Sequence, residues 1–338
     1  MIHFSRTLPL LPVLAMAAAA AAQEHDLRTT AKKGTVAHFL QTHKQEQAID
    51  MGGQSMDMGN TVHYALKLAV TDVAENGNLA VEVEVLRVHG MLILPMMGEV
   101  EFDSTSGPAE DDGFGMGALG DAMTSLAGKK FTATVSPYGK VSALVGADKL
   151  LEAAREKGGS MGQMLAGSLR DDTLESLVTN AFGLITDKPI AVGKSWDSAE
   201  KEKASRAPVE NKMTMTLLSF GDETFEIEAK GTVEQIADGK GPEVEGLEGD
   251  EAEMAKEMMK GMKIKNGKIA GKQKISRQDG LTVEANSSIS VDIEMPNPMG
   301  GDPMTIASKT ITTTKRCTAE EAMPKKKAEA KTDGADKK

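Results

Sequence analysis

Cysteine, aromatic residues, basic charge and long apolar runs are all scarce in this chain, and each scarcity removes a class of protein. Cys317 is the one cysteine in 338 residues. A disulfide framework within the chain is therefore excluded. Cys317 reads as a half-buried thiol at a strand end, or in an oxidising compartment as a partner for another chain. Aromatics make up 3% of the chain, with Trp196 the sole tryptophan, whereas methionine reaches 22 residues. Methionine is flexible, so it can replace aromatic volume in a core or line an adaptable surface. Lys and Arg number 39 against 50 Asp and Glu, for a formal charge of −11. Nucleic-acid binding and adsorption to anionic lipid both draw on clustered cations, so neither is expected. After residue 22 no apolar stretch approaches the roughly 20 residues of a membrane-spanning helix. The nearest, Met91 to Met97, is short, interrupted by Pro95 and flanked by Gly90 and Gly98. It reads as buried or loop structure.

The start of the chain does carry an apolar run. Arg6 precedes Leu8 to Ala21, and Ala20-Ala21-Ala22 leads into the polar Gln23-Glu24-His25-Asp26. A charged start, a short apolar centre and a small-residue exit describe a secretory signal peptide cleaved after Ala22. Removal takes away Arg6 and no acid, moving the charge from −11 to −12. No cysteine follows the site, so no lipid anchor of the diacylglyceryl-cysteine kind is expected. The mature protein is expected in the periplasm or outside the cell, soluble.

Beyond residue 22 the dominant signal is period two. Val62, Tyr64, Leu66, Leu68 and Val70 share one face of a strand ending near Val73. Glu75-Asn76-Gly77-Asn78 turns the chain, and Leu79, Val81, Val83 and Val85 resume the apolar face. Alternation on both sides of an Asn-Gly turn marks a hairpin with one dry and one wet face. Further strands are expected over Thr35–Gln45, Lys130–Ser136, Val141–Val145, Met213–Leu217, Phe225–Ala229, Leu281–Ile293 and Thr305–Arg316. The Gly- and Met-rich stretches Met51–Gly59 and Ser104–Gly120 read as loops, as does the proline-bearing Met295–Met304. From Ala147 the period becomes 3.6. Leu150 and Leu151 with Ala154, then Leu174, Leu177, Val178 and Ala181, form helical faces. Asp172 suits the N-cap of the second helix, with Glu175 three residues on. Six acids crowd Glu243–Glu253, and Met254, Met258 and Met262 make a stripe on a short helix. Thr318–Lys338 has no apolar period and reads as a disordered charged tail.

Catalytic and metal-binding patterns are weak. His38 and His43 differ by five residues and so face opposite sides of one strand. His63 lies on a wet face, and no His-Glu-x-x-His or Cys-His spacing exists. Gly193-Lys194-Ser195 lacks the earlier glycine of a phosphate loop, because Lys188 stands there. Ser198-Ala199-Glu200-Lys201 fits Ser-x-x-Lys without the partner motifs of that hydrolase class. The acidic run lacks the ligand spacing and central glycine of a calcium loop. The methionine groups, including Met51/Met56/Met58 and Met295/Met299/Met304, lack the nearby histidines that would strengthen a copper reading. No catalytic residue, metal site or cofactor is expected.

Three segments in order carry a resemblance: Glu101-Phe102-Asp103-Ser104; Phe131-Thr-Ala-Thr-Val-Ser-Pro-Tyr-Gly-Lys-Val141; and Leu184-Ile-Thr-Asp-Lys-Pro-Ile-Ala-Val-Gly-Lys-Ser-Trp196. Together with the signal, they resemble a family of exported bacterial β-rich proteins known only as a domain of unknown function. The resemblance spans roughly Lys32 to Arg316. It implies an envelope or secreted setting and brings no catalytic residues.

The expected fold is mainly β (α+β): two curved antiparallel sheets, or open half-barrel lobes, joined by a central helical segment. The expected divisions are a signal at 1–22, an N-terminal lobe at 23–146 and a helical cover at 147–188. A C-terminal lobe follows at 189–317, with an insertion at 243–263, and the tail occupies 318–338. An apolar cleft lined by Met254, Met258, Met262, Leu174 and Val178 is the candidate site. The expected role is non-catalytic, binding an apolar ligand or an envelope partner. Alternatives are an envelope scaffold tethered by the tail, or a hydrolase with a site assembled from distant residues.

Overall fold

A computed structural model describes residues 23–51, 55–95, 98–106, 116–150, 152, 171–202, 209–235, 261–297 and 302–323. The expected signal at 1–22 lies outside the described residues, as do most of the insertion at 243–263 and residues 324–338 of the tail. The strands are β1 (Glu24–His25), β2 (Val36–Asp50), β3 (Ser55–Val73), β4 (Leu79–Leu94), β5 (Gly98–Asp103), β6 (Lys130–Val135) and β7 (Val141–Val145). They continue as β8 (Ile190–Ala191), β9 (Ser195–Glu202), β10 (Val209–Phe220), β11 (Thr224–Gln235), β12 (Lys263–Ser276), β13 (Thr282–Met295) and β14 (Met304–Cys317). Three helices are α1 (Met116–Thr124), α2 (Asp171–Phe182) and α3 (Ala319–Ala322), and residues 147–150 are also helical.

One antiparallel sheet of 12 strands holds nearly all of these, in the order β7-β6-β4-β3-β2-β14-β13-β12-β11-β10-β9, with β5 also on β4. The expectation was two curved sheets or two open half-barrel lobes; the two halves join edge to edge in one sheet. The seam is the ladder between β2 and β14, which runs from Cys317 opposite His38 to Thr305 opposite Asp50. The path ends at β7 and β9, which do not pair with each other, so the sheet stays open. β1 and β8 form a separate two-stranded sheet.

Alternation explains the strands. Val62, Tyr64, Leu66, Leu68 and Val70 of β3 and Leu79, Val81, Val83 and Val85 of β4 are all buried. The opposite face carries ion pairs such as Lys130–Glu82 at 2.9 Å, Lys212–Glu234 at 2.6 Å and Lys272–Glu226 at 2.7 Å. Exposed pairs contribute at most about 1 kcal/mol each. A buried Leu, Val or Phe contributes about 1.5–3 kcal/mol, so the inner face holds the sheet together. Leu174, Leu177, Val178 and Ala181 turn α2 onto that face, and Leu119 and Met123 do the same for α1.

Several boundaries depart from the expected ones. β3 begins at Ser55, inside the stretch read as a loop, because β2 pairs it as far as Asp50–Ser55. β4 runs through Leu94 because β3 and β5 pair it on either side. Met116–Thr124 is helical where a loop was expected. The expected disordered tail begins with α3, where Thr318 and Glu321 form a capping box and Ala322 is fully buried. Of the joining helical region, 153–170 lie outside the described residues.

The two halves also meet at one end of the seam, through residues 26–35. Leu27 packs in the cluster of β10–β12, and Ala31 in the cluster of β2–β7. Between them Thr29 donates its backbone N–H to the Pro137 carbonyl at 2.7 Å, and its hydroxyl to the Asp279 carbonyl at 2.7 Å. Nearby, Gly139 has φ +81, and a Cβ there would lie 1.7 Å from the Gly183 carbonyl oxygen. Gly139→Ala is therefore expected to lower stability by about 2 kcal/mol or more. Gly34→Ala, at φ +89 with nothing within 4 Å, should cost only the backbone strain of about 1 kcal/mol. Urea denaturation of both variants checks the difference.

Candidate functional site

Antiparallel partners share a face, so the inner surface can be followed across the strands. Along β2 it carries Gln41, His43, Gln45, Gln47 and Ile49; opposite them on β14 stand Thr314, Thr312, Thr310, Ser308 and Ile306. The seam is thus polar but uncharged for most of its length and becomes apolar at Ile49 and Ile306. β13 flanks it with Ile289, Val291 and Ile293, and β3 with Val62, Met58 and Met56.

This surface is covered unevenly. α2 closes one end, where the Gln41 side-chain amide donates to the Leu177 carbonyl at 2.7 Å. The Thr282 hydroxyl donates to the Asn180 carbonyl at 2.9 Å. Toward the other end Ile49, Met56, Ile264, Ile289, Ile293, Met295 and Ile306 are half-buried. Of these, Ile264, Ile289, Ile293 and Met295 pack against a small cluster built on Val209, Val233, Met262 and Ile269. A concavity of about 350 Å³ opens nearby, lined by Gly261, Lys263, Glu294, Met295, Pro296, Asn297 and Pro303, so it meets this run at Met295.

The expected cleft residues separate in this arrangement. Leu174 and Val178 lie in the large cluster under α2, whereas Met262 lies in the small cluster at the apolar end. Met254 and Met258 lie outside the described residues. Sequence reading weighed His43 only as a metal ligand and missed Gln41 and Thr314, polar positions that face inward on a seam that is polar for most of its length. Gln41 and Thr314 are each 1% exposed. Among the described residues, Gln41 Oε1, His43 Nε2 and Thr314 Oγ1 have no hydrogen-bond partner. Burial pushes the His43 imidazole down to about 4, so it is neutral at pH 7. Its ring meets Tyr64 edge-on, with centroids 5.7 Å apart.

His38, His63 and His89 fall on the outer face, where the buried His89 Nδ1 also has no hydrogen-bond partner among the described residues. His63 and His89 are cross-strand partners with stacked rings, centroids 4.6 Å apart, and His63 Nδ1 lies 2.8 Å from the Thr42 hydroxyl. Burial and then the Arg87 cation hold both imidazoles below the usual histidine range. Beside them Arg87 pairs with Asp103. Burial opposes the Asp103 charge, but hydrogen bonds from Arg87 and Thr105 outweigh it and bring the carboxyl to about 2. Among the described residues, no group of three or more His, Cys, Asp or Glu is placed to hold a metal ion.

A wider groove of about 710 Å³ lies near the β11–β12 end, lined by Asp222, Glu223, Lys274, Arg277 and Arg316 among others. Two of its cations are already engaged. Arg277 donates to the Gly221 carbonyl at 2.7 Å and lies 4.3 Å from the Phe220 ring centroid. Arg316 pairs with Asp279 at 2.8 Å. The half-buried apolar surface therefore has the stronger claim as a site.

Residues 76–282 match the sequence profile of DUF6263, a family of unknown function. The chain belongs to that family. Among curated proteins, none matches it. Solved structures similar to this DUF6263 member include lipovitellin, from a study of its lipid–protein interactions, with a TM-score of 0.44 and 10% identity. That match covers 85% of this chain and 25% of lipovitellin's, so the chain spans about a quarter of that protein's length. DynF of the dynemicin pathway of Micromonospora chersina has a TM-score of 0.20 at 7% identity, covering 94% of this chain and 96% of its own. A DUF1329 protein of Desulfovibrio piger has a TM-score of 0.13 at 8% identity, covering 82% and 84%. Likeness at this level assigns no ligand. Among the described residues, no helix is long and apolar enough to cross a membrane.

The buried, neutral His43 has a consequence for stability. Its folded value of about 4 lies below the ordinary histidine value of 6.5, so the unfolded chain binds the proton first as pH falls. The stability tied to the neutral ring is complete above pH 6.5 or so and is lost progressively down to about pH 4. Urea denaturation across this window should show the native protein losing on the order of 1–3 kcal/mol more than His43→Gln.

Proposed function

We infer that the protein is an exported, non-catalytic binder of an apolar ligand, held against the inner face of its open sheet. One observation carries the binding part: the run of half-buried Ile49, Met56, Ile264, Ile289, Ile293, Met295 and Ile306 on a face whose other end is sealed by α2. Small-molecule sites are concave and mostly apolar with a few placed polar groups. Methionine among the lining residues suits a surface that adapts to flexible molecules. Export rests on the sequence of residues 1–22. The non-catalytic reading rests on the sequence, whose nucleophile and metal patterns are incomplete.

Native mass spectrometry with lipid extraction, on protein exported by its own signal, tests this reading. A bound apolar molecule is expected, on a chain whose mass begins at Gln23. Ile306→Glu puts a charge in the middle of the strip and should reduce the bound fraction roughly tenfold or more while the protein still folds. An empty wild-type chain that also takes up no neutral hydrophobic dye overturns the reading.

A further inference from the structure

We propose that the ligand carries an uncharged hydroxyl head, which lies at the α2 end of the seam against Gln41, His43 and Thr314, with its tail running toward the Met295 end. This rests on the apolar-binder reading above and names the chemical class that the site selects.

The three side chains are neighbours on one face. Gln41 and Thr314 are direct cross-strand partners, and His43 is two residues along β2 from Gln41. Their orphaned atoms ask for a particular set of hydrogen bonds. The Gln41 amide nitrogen is fixed on the Leu177 carbonyl, which leaves Oε1 as an acceptor in need of a donor. Thr314 Oγ1 can donate as well as accept, and so can neutral His43 Nε2, according to its tautomer. A hydroxyl has one donor and two acceptor lone pairs. It can donate to Gln41 Oε1 and accept from Thr314 or His43.

Other head groups fit less well. A hydrocarbon leaves all three atoms without partners, and each such buried atom carries a desolvation penalty. A carboxylate offers no donor to Gln41 Oε1. It would also bring a charge into a seam where β2 and β14 place only Gln, Thr, Ser and neutral His between Gln41 and Ser308. Arg316, two residues beyond Thr314, is already held by Asp279. An ammonium group would donate to Gln41 but leave a buried charge without a counterion. From Gln41 to Ile49 the face runs about 27 Å at 3.3–3.4 Å per residue, long enough for a long alkyl tail. Ile269, Ile289 and Ile293 lie beside that path.

The test uses delipidated full-length protein loaded with Nile red, a neutral dye, and displaced by dodecanol, dodecane or dodecanoate at pH 8. Dodecanol should compete roughly tenfold or more better than either of the others. Thr314→Val keeps the shape and removes the hydroxyl, and Gln41→Leu removes the acceptor. Each should weaken dodecanol several-fold and leave dodecane unchanged. Thr314→Val is the decisive variant if Gln41→Leu does not fold. Equal competition by the three probes, a lead for dodecanoate, or variants that gain stability without altering dodecanol binding would each overturn the hydroxyl assignment. Dye uptake would still stand in those cases. No uptake of any probe removes the binder reading itself, and the hydroxyl assignment with it.

Discussion

The backbone ladder between β2 and β14 is the contact on which the rest of the structure depends. It pairs a strand near the start of the chain with one near the end, from His38–Cys317 to Asp50–Thr305. Closing so long a loop costs entropy that local contacts do not recover. Thr29 meets part of that cost by tying the Pro137 and Asp279 carbonyls together at one end of the seam. With the seam in place, the apolar faces of both halves become one inner surface that α1, α2 and residues 184–190 can cover.

The same seam is where the inner face stops being apolar. β2 and β14 present Gln, His, Thr and Ser inward where β3 and β4 present Val, Leu and Tyr. Polar residues buried at such a line carry a penalty unless they are paired. α2 pairs Gln41 through the Leu177 carbonyl, and Thr282 of the adjoining β13 through the Asn180 carbonyl. The fold therefore has one end of the seam that is tight and polar and another that is looser and rich in Ile and Met. That polarity along a single face gives the site its direction.

Much of the strand content was legible in the sequence, because alternation reports one buried face directly. Val62 to Val70 and Leu79 to Val85 are examples, and so is the helical face from Leu174 to Ala181. The Gly- and Met-rich starts of β3 and α1 were not legible, since their local propensity is overridden by neighbouring strands and by packing of Leu119 and Met123. The seam was invisible for a different reason. Every antiparallel hairpin with a dry face writes the same pattern, and nothing in that pattern says which distant strand lies alongside. The sequence reading set Met262 in one cleft with Leu174 and Val178, whereas different clusters hold them. The His63–His89 stack was not legible, because two register shifts in the β3–β4 ladder, between Val70 and Asp72 and between Ala65 and Leu66, lie between it and the turn. The inward Gln41, His43 and Thr314 needed the seam first.

Native-state hydrogen exchange at the amides of β2 and β14 tests the joined-sheet account most directly. If the seam unites the two halves, amides from Phe39 to Ala48 and from Ala307 to Lys315 exchange only through the same opening that releases β3–β4 and β11–β12, with one free energy throughout. Rapid exchange along β2 and β14, with the two halves separately protected at different free energies, would contradict it.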